Sequence, residues 1–459
     1  MKKNLRFFIA LYASKLVQLL LKLMGRNASY FPGEVAFKLC PDFLGRIDKP
    51  ETIIGVTGTN GKTTCCNLII STLQSLGYDV LNNKFGSNVA AGVASSLISG
   101  SSLSGKAKKN IAVFEIDERS SVRIYPYVTP TYLLCTNLFR DSIRRNAHSE
   151  YILDIISKNV PAKTTLILNA DDNVSSRIAP QNARKYFGIL PMPGEDNSCA
   201  NIVNDMRLCP KCHNRLEYSL IRYHHIGRAN CPACGFASPS PDYAADVDFS
   251  AMRMIMQLGG KSYVMPLMND SLFNAYNQTA VLAVLSEFGI EPEKLIKAFC
   301  SQQIVETRFS DEKVCGVEVV SNMAKGQNSI ACSCVFDYVK KVPGTKEVIL
   351  ILEDVHDNKV SSENMSWIYD ADFEFLNDEN IKHIIVGGVR AIDFKVRMLI
   401  AGVPEEKIVC IDDVKATPDG LSWDCEKIYV LHELYWNDIA LGVRDDIKNR
   451  LRAKGEKTA

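Results

Sequence analysis

The stretch TIIGVTGTNGKTTCCNLIISTLQSLG, residues 52–77, decides the fold. It passes from an apolar β-branched run through a glycine turn into a helical pattern that stops at Gly77. Strand, tight turn and helix in that order make a phosphate-binding loop. Gly58 and Gly61 let backbone N–H groups approach phosphate oxygens, Lys62 supplies a point charge, and Thr63 offers a hydroxyl to Mg²⁺. The strict G-x4-G-K-[ST] pattern would place a glycine at position 56, where Val56 stands.

Outward from this loop the pattern repeats. IAVFEI (111–116), TYLLCTNL (131–138) and TTLILNADD (164–172) are short apolar runs that end in polar residues, with helical stretches between them. Such alternation predicts an α/β fold, a parallel sheet with helices on both faces and ligands at the strands' carboxyl ends. A cysteine-rich insert at 205–238 interrupts the series, and FNAYNQTAVLAVLSEFG resumes it as a helix. A second αβ unit begins near residue 301, with EVILILED, IKHIIVGGVR and EKIYVLHEL as its buried strands.

At 459 residues the chain is too long for one ordinary core. Its formal net charge of +1 gives no electrostatic reason to expect a polyanion, which argues against nucleic acid. The fifteen cysteines are odd in number and scattered, as in a reducing cytoplasm with one metal site. At the start, Lys15 and Lys22 interrupt the apolar run, so it reads as an amphipathic helix rather than a signal peptide. Phe8, Tyr12, Leu16, Leu19, Leu20 and Leu23 recur at helical spacing. That stripe either packs on the protein body or rests on the inner face of the membrane in peripheral contact.

Cys209, Cys212, Cys231 and Cys234 form a C-x2-C-x18-C-x2-C ribbon, the spacing of a closed Zn²⁺ site with no position left for substrate. His213, His224 and His225 are expected at the surface or around the ligands. Glu217 offsets part of the charge of Arg215, Arg222 and Arg228, so the ribbon reads as a structural clip. Tyr218 and Tyr223 are expected to pack it.

The string TGTNGKTT (57–64) resembles the ATP loop of the Mur ligases, which join amines to carboxylates through an acyl phosphate. The resemblance makes Gly58, Thr59, Asn60, Gly61, Lys62, Thr63 and Thr64 the ATP-binding residues, with Thr63 and Glu115 on Mg²⁺ and Lys62 and Glu115 catalytic. NADD (169–172), YFG (186–188), Asn274 and Asn277 toward the nucleotide, and Arg308 near ATP follow in family order. With the ribbon and SWIYDADFEFL, the whole chain resembles the MurT family, synthetase subunits that amidate the D-glutamate α-carboxyl of lipid II. That family takes ammonia from a GatD-like glutamine amidotransferase subunit. No cysteine here has the G-x-C-x-G setting of a glutaminase nucleophile, consistent with such a partner.

The resemblance implies an N-terminal helical segment (1–48), a Mur ligase central ATP-binding domain (49–300) carrying the ribbon, and a C-terminal MurT-type, Rossmann-like domain (301–459). Three strings depart from the family, one of them SIRRNAH (142–148), which follows NLFRD where the family has a Q-x-D-R-x-G-E-like run. Asn364 stands where the family places the Asp that completes the glutaminase's Cys–His pair, and of the family's K-N-P-A-G only Lys325 is kept. Three readings stand at this point: a divergent MurT-type enzyme, a paralogous amide ligase acting on another carboxylate, and a non-catalytic zinc-ribbon scaffold.

Overall fold

Residues ahead of the glycine loop fold into helices α1 (Leu5–Leu23), α2 (Phe31–Leu39) and the single turn α3 (Phe43–Arg46). The structure is a computed structural model and describes residues 1–83, 87–140, 148–301, 310–324, 328–353 and 365–458. It divides into two compact units. One holds Met1–Phe139, His148–Cys199 and Asp205–Gln303; the other holds Arg140–Ala147, Ala200–Asn204 and Ile304–Ala459.

In the first unit, strand β1 (Thr52–Thr57) leads through the glycine turn into α4 (Lys62–Ser75). There follow β2 (Val80–Asn82), α5 (Ala90–Ser99), β3 (Ile111–Glu115), the single turn α6 (Ser121–Ile124), β4 (Tyr132–Cys135), α7 (Ser149–Asn159), β5 (Thr165–Asn169) and β6 (Arg184–Ile189). The hairpin β7 (Glu217–Tyr223) and β8 (Ile226–Asn230) belongs to the cysteine insert. Strands β9 (Tyr243–Asp248), β10 (Arg253–Leu258) and β11 (Lys261–Pro266) and helices α8 (Leu272–Glu287) and α9 (Pro292–Cys300) complete the unit.

The sheet order is β11-β10-β9-β6-β5-β4-β1-β3-β2. From β2 through β9 neighbouring strands are parallel, as the alternation of apolar runs predicts. β10 and β11 add an antiparallel hairpin at one edge. β1 lies between β3 and β4, so the chain reverses its direction of winding at β1, and the carboxyl ends there open the crevice where such sheets bind ligands.

Helices α1 and α2 pack on α5. Gln18 Nε2 donates to Ser95 O at 2.9 Å, and the Gly33 amide donates to Ser95 Oγ at 2.8 Å. The contact at Gly33 requires glycine: a Cβ there would stand 1.9 Å from Ala91 O. The packing face of α1 is Phe7, Ala10, Leu11, Ser14 and Gln18. Of the stripe expected to be the apolar face, only Phe8 joins the core; Tyr12, Leu16, Leu19, Leu20 and Leu23 face outward.

The second unit is a six-stranded sheet, β12 (Ser310–Val314), β13 (Val317–Met323), β14 (Lys346–Ile351), β15 (Ile381–Gly387), β16 (Ile408–Ile411) and β17 (Lys427–His432), in the order β12-β13-β17-β14-β15-β16. All its pairings are parallel except β12 with β13. Helices α10 (Ser329–Lys341), α11 (Ala391–Ile400) and α12 (Asn437–Thr458) cover it. The SWIYDADFEFL segment is fixed by Arg397, a buried cation that donates to Ile368 O at 2.9 Å, Ala371 O at 2.8 Å and Glu374 Oε2 at 2.8 Å. Trp367 and Phe373 pack on Phe394 within this core.

Candidate active site and metal centre

The glycine loop is cradled by the end of β4. The Thr59 amide donates to Asn137 O at 2.8 Å, the Asn60 amide to Asn137 Oδ1 at 3.0 Å, and Thr136 Oγ1 to Asn60 O at 2.6 Å. Thr59 Oγ1 in turn accepts from the Phe139 amide at 2.9 Å. Gly58 and Gly61 adopt positive φ values of 124° and 87°. A Cβ on Gly58 would lie 2.2 Å from Thr136 Oγ1, and one on Gly61 would lie 2.4 Å from Asn277 Oδ1. Gly61 is also the N-cap of the 14-residue α4, which has no side-chain cap, so the positive end of the helix faces the loop. The uncapped first turn of α4, with Lys62 in it, fits a phosphate chain.

Around the loop stand the residues expected from the sequence. Thr63 Oγ1 donates to Glu115 Oε2 at 2.8 Å, and Asn88 Nδ2 donates to Glu115 Oε1 at 3.2 Å. A hydroxyl and a carboxylate so close, at the end of β3 and the first turn of α4, are oxygen donors suited to Mg²⁺. Asn277 and Asn274 lie on the first turns of α8, with Asn277 Nδ2 donating to Asn274 Oδ1 at 3.3 Å. Cys65 Sγ, 3.5 Å from Asn277 Oδ1, ties that helix to α4. Thr64 follows half-buried in the first turn of α4. Arg308, Lys325 and Asn364 lie outside the described residues.

One residue was missed. Glu118 is buried, accepts from Lys62 Nζ at 2.8 Å and from the Gly58 amide at 3.1 Å, and so holds both ends of the loop. Lys62 also donates to Gly58 O. Burial pushes the Glu118 acid up despite the pull of Lys62. Glu118 stands three residues beyond Glu115 in FEIDE, and that repeat of a carboxylate after a strand end was its one signal in the sequence.

The four ribbon cysteines converge. Cys209 and Cys234 sulfurs are 3.5 Å apart, Cys212 and Cys231 sulfurs 3.4 Å apart, and all four lie within 4.8 Å of one another. Four ligands at the usual Zn–S distance stand about 3.8 Å apart, so the thiols fit a tetrahedral ion. Both knuckles turn alike: His213 N donates to Cys209 O at 2.9 Å and Gly235 N to Cys231 O at 3.1 Å, each residue with positive φ. Hydrogen bonds from Asn214 bring the Cys212 thiol down to about 6, toward the thiolate that a metal needs.

His213 is exposed, but His224 and His225 are fully buried, contrary to a surface position. They belong to a latch between the ribbon and the NADD segment. Asp171 receives Arg222 Nη1, Tyr276 OH and Arg228 Nε, each at 2.7 Å. Arg222 also pairs with Glu195 at 2.6 Å. Asp172 Oδ1 meets His225 Nε2 at 3.2 Å, and Oδ2 accepts from the Leu138 amide at 2.7 Å. Burial alone would raise the Asp172 acid; the bonds from His225, Ser175 and Leu138 hold it below the usual aspartate range. Phe139 stacks on Tyr223 at 6.0 Å and lies 4.6 Å from the His225 ring. The ribbon is thus bonded through Asp172, Leu138 and Phe139 to the strand end that holds Thr59.

Fold and site together define a Mur ligase. Residues 56–208 match the Mur ligase middle domain and residues 326–435 the MurT ligase C-terminal domain. Solved structures with this fold include a pseudomurein peptide ligase type C from Methanothermus fervidus (TM-score 0.65, 19% identity, covering 89% of this chain and 80% of that one). MurF from Thermotoga maritima in complex with ADP is another (TM-score 0.57, 15% identity, covering 93% and 85%).

Over most of its length the chain is 32% identical to the Staphylococcus aureus (strain COL) lipid II isoglutaminyl synthase (glutamine-hydrolyzing) subunit MurT, covering 90% of this chain and 92% of that one. Its identity to the Streptococcus pneumoniae (strain R6) subunit of the same name is 31%, covering 93% and 94%. The chain belongs to this MurT family of ligase subunits.

Removing a partner from a buried ion pair leaves an uncompensated charge. Asp171→Ala is expected to cost roughly 3–5 kcal/mol in urea unfolding. Asp196→Ala, at an exposed turn, is expected to leave the midpoint unchanged.

Proposed function

We propose that the chain amidates the D-glutamate α-carboxyl of the lipid II stem peptide to isoglutamine, using ATP and ammonia from a GatD-like glutaminase subunit. The observation that carries the reading is the meeting of Lys62, Thr63, Glu115 and Asn277 around a glycine loop at the sheet's reversal point, in a chain of MurT kinship. A scaffold has no need of that set.

In this reading Gly58 and Gly61 admit the phosphate chain and Asn274 and Asn277 contact the nucleotide. Thr63 and Glu115 would hold Mg²⁺, which would supply charge neutralisation for the phosphates. An acceptor carboxylate oxygen attacks the γ-phosphorus and ADP departs, leaving an acyl phosphate. Ammonia then attacks the acyl carbon, phosphate leaves with the C–O bonding pair, and a proton is released as the amide forms. Lys62 must leave Glu118 for the γ-phosphate and offset the charge that gathers there. Arg308 joins it in that role. Zn²⁺ in the four-cysteine site is structural, because four thiolates close its coordination. A lipid-linked acceptor puts the work in the cytoplasm, in peripheral contact with the inner membrane face.

Asn364 favours a second reading, a paralogous amide ligase acting on another carboxylate. An amide cannot stabilise an imidazolium, and in a Ser-His-Asp enzyme the same exchange costs about 10⁴-fold.

Lys62→Ala is expected to lower lipid II amidation by more than about 10²-fold, scored by mass shift of the stem peptide; unchanged amidation would falsify the ligase mechanism. With the glutaminase subunit added, Asn364→Asp is expected to raise glutamine-driven turnover and leave ammonium-driven turnover alone. An equal response with both donors removes Asn364 from the coupling. Elemental analysis is expected to find one zinc per chain, with Cys231→Ser or a chelator lowering the unfolding midpoint.

A further inference from the structure

Helix α1 keeps Phe7, Ala10 and Leu11 in the core, but beyond them it is built inside out. Toward the protein it turns polar groups: Ser14 and Gln18 are buried, and Lys15 Nζ donates to Ile98 O at 2.7 Å and Ser101 O at 2.8 Å. Toward solvent it turns Leu5, Ile9, Tyr12, Leu16, Leu19, Leu20 and Leu23, exposed by 76, 50, 50, 57, 55, 50 and 75%. Their spacing of three and four residues makes one continuous stripe along an axis about 28 Å long. Met24, Tyr30 and Phe31 extend it past the helix end. An apolar strip of this extent is rare on a protein that needs no partner there.

Charge says what covers it. Residues 1–33 contain six cations, Lys2, Lys3, Arg6, Lys15, Lys22 and Arg26, and no Asp or Glu. Lys3 is committed to Asp48 at 2.9 Å and Lys15 to backbone carbonyls, while Lys2, Arg6, Lys22 and Arg26 stay exposed beside the stripe. Of the next two carboxylates, Glu34 on α2 accepts from Tyr30 OH at 2.9 Å and Asp42 is held by Arg46. Pairing two copies of this face would oppose like charges along its length. Among the described residues, no helix is long and apolar enough to cross a membrane.

We infer that α1 lies in the surface of an anionic phospholipid bilayer, with its leucine stripe among the acyl chains and its exposed cations on lipid phosphates. This deepens the lipid II reading, on which its purpose rests, and leaves α1 as the element that brings the ligase to a membrane-bound acceptor.

The test is flotation of the full-length chain with vesicles of phosphatidylcholine, with or without phosphatidylglycerol. Binding is expected only with phosphatidylglycerol and is expected to fall as salt rises. Leu16→Glu/Leu20→Glu is expected to abolish it and Lys22→Gln/Arg26→Gln to weaken it about fivefold per cation removed. All four positions are exposed, so the unfolding midpoint is expected to hold and confirms that the variants are folded. Absence of flotation with phosphatidylglycerol, equal binding to neutral vesicles, or full binding by the leucine variant overturns the inference. So does a dimer seen by light scattering that the same variant dissolves, which assigns the face to a second copy. Because no catalytic residue is altered, failure here leaves the ligase mechanism standing, and failure of Lys62→Ala leaves flotation standing.

Discussion

A carboxylate taken out of water must be fully partnered, and Asp171 and Asp172 place two of them side by side at the end of β5. Their partners come from separate parts of the first unit: Arg222, His225 and Arg228 from the ribbon, Tyr276 from α8, and the Leu138 amide from the end of β4. The nucleotide-side helix, the cysteine insert and the strand end that shapes the glycine loop therefore meet at one buried charge network. Breaking it at any one partner strands charge on the others. This gives the insert a structural reason to occupy its place in a ligase.

The glycine loop shows the same economy of charge. Lys62 is bonded to Glu118 and the carbonyl of Gly58, and Thr63 is bonded to Glu115. Each pair supplies a ready partner for a group that nucleotide and Mg²⁺ would take over. Glu118 also holds the Gly58 amide and is buried. Burial raises its acid even with Lys62 beside it.

The parts legible in the sequence were those set by local pattern. Apolar runs ending in polar residues located β1, β3, β4, β5, β14, β15 and β17, and the Cys-x2-Cys spacing located a cluster whose sulfurs do converge. The edge hairpin β10–β11 was passed over although it carries a turn signal, Gly259–Gly260 with φ of 56° and 79° between alternating residues. The latch was not readable, because it depends on which ribbon residues reach Asp171 and Asp172, a relation between positions some fifty apart. Arg222 and His225 look like surface residues in a polar stretch until the packing removes them from water.

Helix α1 stayed open between two readings for the opposite reason. Periodicity identifies an apolar face but not the medium it meets, and a core and a bilayer answer the same pattern. The deciding information is in the other face: Ser14 and Gln18 would be poor core residues on a helix that had better ones to offer. Gln18 is held there because Ser95 O accepts from its side chain, Lys15 bonds Ile98 O beside it, and Gly33 lets α2 close on α5. A helix that past Leu11 turns Ser14 and Gln18 inward, and keeps seven large apolar residues outside, has a face left over for another contact. The absence of any acid among the first 33 residues narrows that contact to an anionic one.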